Sequence, residues 1–175
     1  MNITGAELIT RYLERQDLAV VAGAAGVTLR PLARSLAHSP IVHAPLAQSS
    51  VRLASSATAL RTMAEHAPAL CIAGQVPRAE ITAGMLARRE SVPGVKAWLH
   101  AAAAFELLAL LPQAWALAQD GQPGSVVLEV PVDVLTENIE GAWIPQCAPG
   151  AYGVFGASGG TTYARPRELP LSCAA

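Results

Sequence analysis

"AQDGQPGSVVLEVPVDV", Ala118 to Val134, is the stretch that decides the fold class of this chain. It predicts the end of a helix, then a Gly-Pro turn, and then an apolar run that ends at Pro131. Proline cannot donate to a sheet ladder, so it is typical of the end of a buried strand rather than its middle. A helix followed at once by a buried strand is the repeating unit of α/β domains.

Three further apolar runs bounded by small residues or prolines precede this unit and predict strands. They are "LAVVAGAAG" at 18–26, "SPIVHAPL" at 39–46 and "PALCIAGQVP" at 68–77. Four strands that alternate with helices predict an α/β fold with a mainly parallel sheet flanked by helices. Ligands of such sheets bind beyond the carboxyl ends of the strands. We therefore expect site residues in the loops at Gly23–Gly26, Ala47–Ser50 and Gly74–Arg78.

The first predicted helix has the clearest start signal. Thr4 and Glu7 have the spacing of a capping box, and apolar residues then recur at helical spacing to about Gln16. A second helix is expected from Leu29 to Ala37, with a proline in its first turn, where its missing amide is harmless.

Two further helices are expected in the middle of the chain. The run from Val51 to His66 favours a helix, although Ser55 and Ser56 could equally start one at their own position. The apolar run from Ala101 to Ala118 approaches the length of a membrane span. Because it contains a glutamate, a proline and a glutamine mid-run, we expect a buried helix instead.

Length and composition indicate one domain. The 175 residues are 52% hydrophobic and only 14% charged, with a mean hydropathy of +0.35, whereas soluble domains are about 25% charged. We expect a domain at residues 1–140, followed by a Gly/Pro-rich linker or disordered tail at 141–175. The net charge of −1 disfavours nucleic acid and anionic membranes as partners.

The cysteines and the first residues indicate the compartment. Cys71, Cys147 and Cys173 are odd in number and widely spaced, which disfavours a disulfide scaffold and a structural zinc site. "MNITGAELITRYLERQ" has no basic region followed by an apolar one, so it does not have the pattern of a secretory signal. The sequence predicts a reducing, cytoplasmic setting.

"TGAELITRYLERQ", "VVAGAAG", "CIAGQVPR" and "AWALAQDGQPGSVVLEVPVDV", in this order, resemble the N-terminal, pyrimidine-binding domain of thiamine-diphosphate enzymes of the acetolactate synthase family. The resemblance spans roughly Met1 to Val134. It implies decarboxylation and condensation of 2-keto acids with thiamine diphosphate and magnesium, in a cleft shared between two chains. Some relatives also bind a flavin, so FAD is a further cofactor that the family allows.

The resemblance also implies partners that this chain would need. The family binds the diphosphate and magnesium in another domain, which carries a GDG motif and paired asparagines, and neither motif occurs in these 175 residues. We expect either a homo-oligomer or a separate diphosphate-binding subunit. The activity would then be absent from this chain alone.

The family's catalytic glutamate hydrogen-bonds a ring nitrogen of the cofactor and follows the second strand. An ungapped alignment of "SPIVHAPLAQSS" places Ser49 at that position, preceded by Gln48. A serine hydroxyl cannot shuttle the proton as a carboxylate does. No catalytic residue or metal ligand is therefore expected. The cofactor-binding positions implied by the resemblance are Gly23, Ala24, Ala25, Gly26, Ser49, Ser56, Ala57, Thr58 and Gln75.

Plainer interpretations of these residues stay open. Gly23 and Gly26 suit any tight strand-to-helix turn, and "GAAG" lacks the three-glycine spacing of a dinucleotide loop. Ser49 could act as a nucleophile only with a base beside it, and otherwise is a polar loop residue. We expect His43 to be a satisfied strand histidine and Cys71 to be an unreactive core thiol. Trp98 and Trp115 suit the core or a subunit interface.

The middle of the chain departs from the family pattern. About thirty residues between the expected Glu position and "VRLASSATALRTM" have no counterpart, and we expect one sheet strand to be missing with them. Three hypotheses follow: a subunit of a split enzyme, a non-catalytic interaction or regulatory module that keeps the family's dimerisation surface, and a truncated remnant. A missing strand would expose a sheet edge, so we also expect self-association.

Overall fold

In the computed structural model, residues 2–44, 49–54, 69–82, 95–120 and 124–140 are described. The helices and strands are β1 (Ile3–Thr4), α1 (Gly5–Arg15), β2 (Val20–Gly23), α2 (Arg30–Leu36), β3 (Val42–Ala44), β4 (Val51–Ala54), β5 (Leu70–Gln75), β6 (Val95–His100), α3 (Leu107–Gln119), β7 (Ser125–Pro131), α4 (Val132–Thr136) and β8 (Asn138–Ile139). Short 3-10 helices lie at Val27–Leu29, Arg78–Glu80 and Ala104–Glu106. The expected linker at 141–175 lies outside the described residues.

Six of the described strands form one sheet in the order β3-β2-β4-β5-β7-β6. Every neighbouring pair in it is parallel. The two-residue strands β1 and β8 pair with each other in antiparallel fashion. The expected α/β fold with a mainly parallel sheet flanked by helices is confirmed.

The core lies mainly on one face of the sheet. Leu70 and Ile72 of β5 and Leu128 of β7 pack there against the helices, in one cluster of buried side chains. The opposite face buries small side chains such as Cys71 and Ala73. Apolar residues on both faces are what a central parallel strand requires, because both of its faces are covered.

The capping box of α1 is confirmed. The backbone N–H of Glu7 donates to Thr4 Oγ1 at 3.2 Å, and the N–H of Thr4 donates to Glu7 Oε2 at 2.7 Å. The helix ends at Arg15, one residue before the expected end. Both halves of this signal lie within four residues, so the sequence alone determines it.

The helix expected at 101–118 begins later in the structure than the sequence predicts. Ala101 continues the end of the sheet, since its N–H donates to Glu129 O at 3.0 Å. A 3-10 turn at Ala104–Glu106 follows, and α3 begins only at Leu107. The Glu106 carboxylate accepts from the Ala102 N–H at 2.7 Å, which stabilises the turn that separates sheet and helix.

The expectation of a helix from Val51 is wrong, because Val51–Ala54 form strand β4. Val51 and Leu53 point into the main core, and both are fully buried. β4 pairs with β2 on one side and with β5 on the other. This pairing makes Val51–Ala54 a strand and overrides the local helical pattern.

Strand β6 was not predicted from the sequence. Val95–His100 lies at one edge of the sheet, beside β7, with an irregularity of register between Val95 and Ala97. Its residues are only partly buried, apart from the exposed Lys96. An edge strand with such a bulge lacks the continuous apolar run by which buried strands are identified.

The connection between β3 and β4 is short. Residues 45–50 separate Ala44 from Val51, whereas crossovers between parallel strands usually take a dozen residues or more. The two strands lie on opposite sides of β2.

Candidate functional site

The loop after β2 is the first predicted site element at the carboxyl edge of the sheet. Gly23 has a φ of 104°, in the left-handed half of the map that favours glycine. Gly26 has an ordinary extended conformation, with a φ of −71° and a ψ of −171°. Ala24 is exposed and Ala25 is partly buried against the main core. Only Gly23 therefore requires a glycine for its backbone conformation.

The end of β5 meets this loop directly. A Cβ atom added to Gly74 would overlap Thr28 Oγ1 and would lie 2.6 Å from Leu29 Cγ. The 3-10 turn that contains both residues follows β2. It therefore reaches across β4 and packs onto the carboxyl end of β5. Small residues at this edge serve the packing of one loop on another, which is the plainer interpretation of the glycine pattern.

Gln75, the last residue of β5, lies at the same edge. Its Nε2 donates to Glu129 Oε1 at 2.9 Å. Glu129 is fully buried on β7. The side-chain amide of Gln75 is thus held by the protein itself.

Ser49 lies at the opposite, amino edge of the sheet. Its hydroxyl donates to the carbonyl oxygen of Val20, the first residue of β2, and accepts from the N–H of Val51 at 3.2 Å. Both contacts are at the start of a strand, whereas Gly23 and Gln75 end theirs. The structure therefore brings Gly23–Gly26 and Gln75 to one edge and separates Ser49 from them.

The remaining predicted cofactor positions cannot be assigned to the amino or the carboxyl edge of the sheet. Ser56, Ala57 and Thr58, together with Gln48, lie outside the described residues. At the end of β3, where the resemblance requires a carboxylate, the described residues offer His43 and Ala44. His43 Nε2 lies 2.8 Å from the carbonyl oxygen of Gly23, so it is a satisfied edge histidine, as expected.

Arg78 joins the ends of three strands in an ion-pair cluster. Its Nε lies 2.6 Å from Asp133 Oδ2 and its Nη2 lies 3.1 Å from Glu137 Oε2, while Nη1 donates to Ala102 O at 2.7 Å. The hydrogen bond to Asp133 raises the pKa of Arg78. Desolvation acts to raise the pKa of Asp133, but hydrogen bonds from Arg78 and its charge outweigh this and lower it. The Arg78 guanidinium therefore holds together the segments that follow β5, β6 and β7.

The Cys71 thiol lies in the core, as expected. It is fully buried within β5. Burial raises the pKa of this thiol to about 11, although the charge of Arg52 acts in the opposite direction. A thiol held in its neutral form is a weak nucleophile.

A groove of about 220 Å³ lies between α1 and α2. It is lined by Glu7, Thr10, Arg11, Glu14, Ser35 and His38. Thr10 Oγ1 donates to Ser35 Oγ at 2.8 Å, and Glu14 accepts from Ser39 at 2.6 Å. Thr10 and Ser35 therefore pair across the groove, and Glu14 is held by Ser39, which are contacts of helix packing.

Glu129 and His100 are the polar residues that the sequence interpretation missed. His100 Nδ1 lies 3.7 Å from Glu129 Oε2 at the carboxyl edge. The available signal was a carboxylate within the apolar run "SVVLEVP", because charged residues are almost never fully buried unless they are paired. In the part of the chain that the structure describes, no cluster of three metal-ligating side chains is found. Among the same residues, no helix could span a membrane.

No family model matches this chain. It is 29% identical over 169 residues to the acetolactate synthase isozyme 1 large subunit of Escherichia coli (strain K12). The alignment covers 79% of this chain and 30% of that protein, so the chain spans less than a third of the relative's length. The similarity supports an acetolactate synthase-like relationship.

Proposed function

We propose that this chain is a pyrimidine-binding-like domain of an acetolactate synthase-like 2-keto acid carboligase, and that it is inactive alone. The placement of Ser49 carries the proposal. Its hydroxyl is bonded at the amino edge of the sheet, away from the loops at the carboxyl ends. The described residues do not fit the catalytic use of thiamine diphosphate, because no carboxylate ends β3.

The similarity to the synthase subunit supports the shortened middle. The alignment extends over 169 residues but uses only 79% of a 175-residue chain. Positions of the relative are therefore left without a counterpart here. The short connection at 45–50 is where the topology accommodates such a loss.

A separate diphosphate- and magnesium-binding subunit would have to complete the cofactor cleft. Gly23–Gly26 and Gln75 are the residues of this chain that would face it, since they share the carboxyl edge. When bound, thiamine diphosphate supplies the carbanion chemistry for 2-keto acids. This chain would contribute backbone and the side-chain carbonyl oxygen of Gln75, whose NH2 group is held by Glu129, without the proton-transferring carboxylate.

The test is an assay of the purified chain with pyruvate, thiamine diphosphate and magnesium. We expect acetolactate formation at the level of the protein-free control. The variant Ser49→Glu restores a carboxylate at the aligned position, and we expect it to stay inactive because residue 49 is at the wrong edge. Turnover by either protein would contradict the proposal.

A non-catalytic interaction module is the second candidate, and the surface of α3 favours it. This helix carries no charged residue from Leu107 to Gln119. Its outward positions Ala109, Gln113 and Ala116 are exposed and lie on one face. Phe105, one turn before Ala109, is 62% exposed. An uncharged helix face beside an exposed phenylalanine is typical of a surface that another protein covers.

Sedimentation velocity of the wild type and of Ala109→Glu tests this candidate. We expect the wild type to self-associate and the charged variant to sediment more slowly at the same concentration. Ala24→Glu is the control, because Ala24 is exposed away from α3. A wild-type chain that stays monomeric would contradict self-association.

A further inference from the structure

Three polar side chains meet near the carboxyl ends of the neighbouring strands β5, β7 and β6. Gln75 ends β5, His100 ends β6, and Glu129 lies on β7 between these two strands. In the register of the sheet, Glu129 is opposite Ala73 on one side and opposite His100 on the other. Alternation along the strands places all three on the face of Cys71, opposite the main core.

Glu129 is the buried member of the group. Its side chain is 0% exposed, and Oε1 accepts a hydrogen bond from Gln75 Nε2. Burial of a carboxylate costs free energy that its partners must offset. A leucine in this strand would avoid that cost, so the carboxylate indicates a role other than packing.

His100 presents one ring nitrogen to this carboxylate. Nδ1 lies 3.7 Å from Glu129 Oε2, and it is buried with no hydrogen-bond partner among the described residues. The side chain as a whole is 27% exposed, so atoms of the residue other than Nδ1 reach solvent. The separation exceeds a hydrogen bond, but such contacts often tighten only when a ligand binds.

The carboxylate fixes which atoms the two neighbours present. Glu129 Oε2, which faces His100, is a hydrogen-bond acceptor, so it favours the tautomer with the proton on Nδ1, in which Nε2 is an acceptor. The carboxylate also holds the NH2 group of Gln75, which directs the Gln75 carbonyl oxygen away from Glu129. Two hydrogen-bond acceptors therefore flank the end of β7.

We propose that His100 and Gln75 form a binding site for a small molecule that presents hydroxyl or amino hydrogens. His100 Nε2 and the Gln75 carbonyl oxygen accept hydrogen bonds from that molecule, and Glu129 is the positioning residue for both side chains. The site shares Gln75 with the proposed cofactor edge, but the relationship to acetolactate synthase assigns neither His100 nor Glu129. Its failure would leave the inactivity with pyruvate unaffected.

The first measurement is the tautomer of His100, from its ring ¹⁵N signals in the intact chain. We expect the wild type to carry the proton on Nδ1, and Glu129→Gln to lose this preference. Glu80→Gln removes an equal charge from an exposed position after β5 and should change nothing. A wild-type His100 protonated on Nε2 overturns the proposal, even if the Glu129 variant fails to fold.

The second measurement follows the His100 signals during titration with two probes. Ethanolamine carries hydroxyl and ammonium donors, and acetate carries only acceptors. We expect ethanolamine to shift the His100 signals saturably, and acetate to leave them in place. Equal responses to the two probes, or none to ethanolamine, would overturn the assignment. His43 is the internal reference, since its Nε2 already contacts Gly23 O.

Discussion

The two halves of the sheet differ in strand length and in how their strands are connected. β5, β7 and β6 have six, seven and six residues, whereas β3, β2 and β4 have three, four and four. We name these sets the long half and the short half. The long half contains "CIAGQVPR" and "VVLEVPVDV", which resemble the enzyme family most clearly. The short half contains Ser49 and the abbreviated connection at 45–50.

This difference separates the packing of the sheet from the position at which the resemblance places the catalytic residue. In the long half, β7 and all of β5 except Gln75 are buried on both faces, and the Arg78 cluster ties three strand ends together. The short half is where the resemblance places the catalytic glutamate, and there the described chain has a satisfied serine at the amino edge. The long half thus carries most of the sheet packing, and the short half carries the position at which we propose that a proton-transferring carboxylate is lacking.

The largest expected effect is in the centre of the long half. Ile72 is fully buried in β5, so Ile72→Ala should lower the free energy of unfolding by about 2–5 kcal/mol. Val42 of β3 is 58% exposed, and Val42→Ala should change the free energy by less than about 0.5 kcal/mol. Urea denaturation measures both. Equal losses would show that the two halves do not differ in this way.

An intermediate effect is expected at the contact between the halves. Gly74→Ala would force the added Cβ against Thr28 and Leu29, and should cost about 1–3 kcal/mol. Gly26→Ala is the control, because Gly26 has an extended conformation that alanine also adopts. If Gly74→Ala has the same urea midpoint as the wild type, the loop after β2 does not pack on β5 as the structure has it.

The smallest effect is expected at the exposed Arg78 cluster. The pKa of Asp133 is lower in the folded chain than its ordinary value, so its stabilisation is present at neutral pH and is lost as pH falls through the folded pKa. Asp133→Asn should cost less than about 1 kcal/mol at neutral pH. The difference from wild type should vanish well below the ordinary pKa of about 3.9. Urea midpoints at both pH values measure it, and a difference that grows on acidification would contradict the ion pair.

Local signals in the sequence predicted the elements whose causes are local. The capping box at Thr4 and Glu7 and the buried strand before Pro131 both depend on neighbouring residues. Strands β4 and β6 were missed because pairing with distant strands, and not their own pattern, makes them strands. A short apolar run is ambiguous between helix and strand until its neighbours in space are known.

The candidate site was predictable only in part. The carboxyl-edge rule located Gly23 and Gln75 correctly on one edge, because strand direction follows from the α/β alternation. An ungapped alignment could not place Ser49, since the edge it reaches depends on where the shortened connection crosses the sheet. The role of Gln75 depends on Glu129, which lies 54 positions away in sequence and contacts it only in the folded chain.

The position of residue 49 is the most direct test of the central claim. Pulsed electron paramagnetic resonance would compare two spin-labelled pairs, 49 with 19 and 49 with 80, in a chain in which the native cysteines are replaced. Ala19 is exposed before β2 at the amino edge, and Glu80 is exposed after β5 at the carboxyl edge. We predict that label 49 is closer to 19 than to 80. A label 49 that is closer to 80 would place this residue at the cofactor edge and contradict the account.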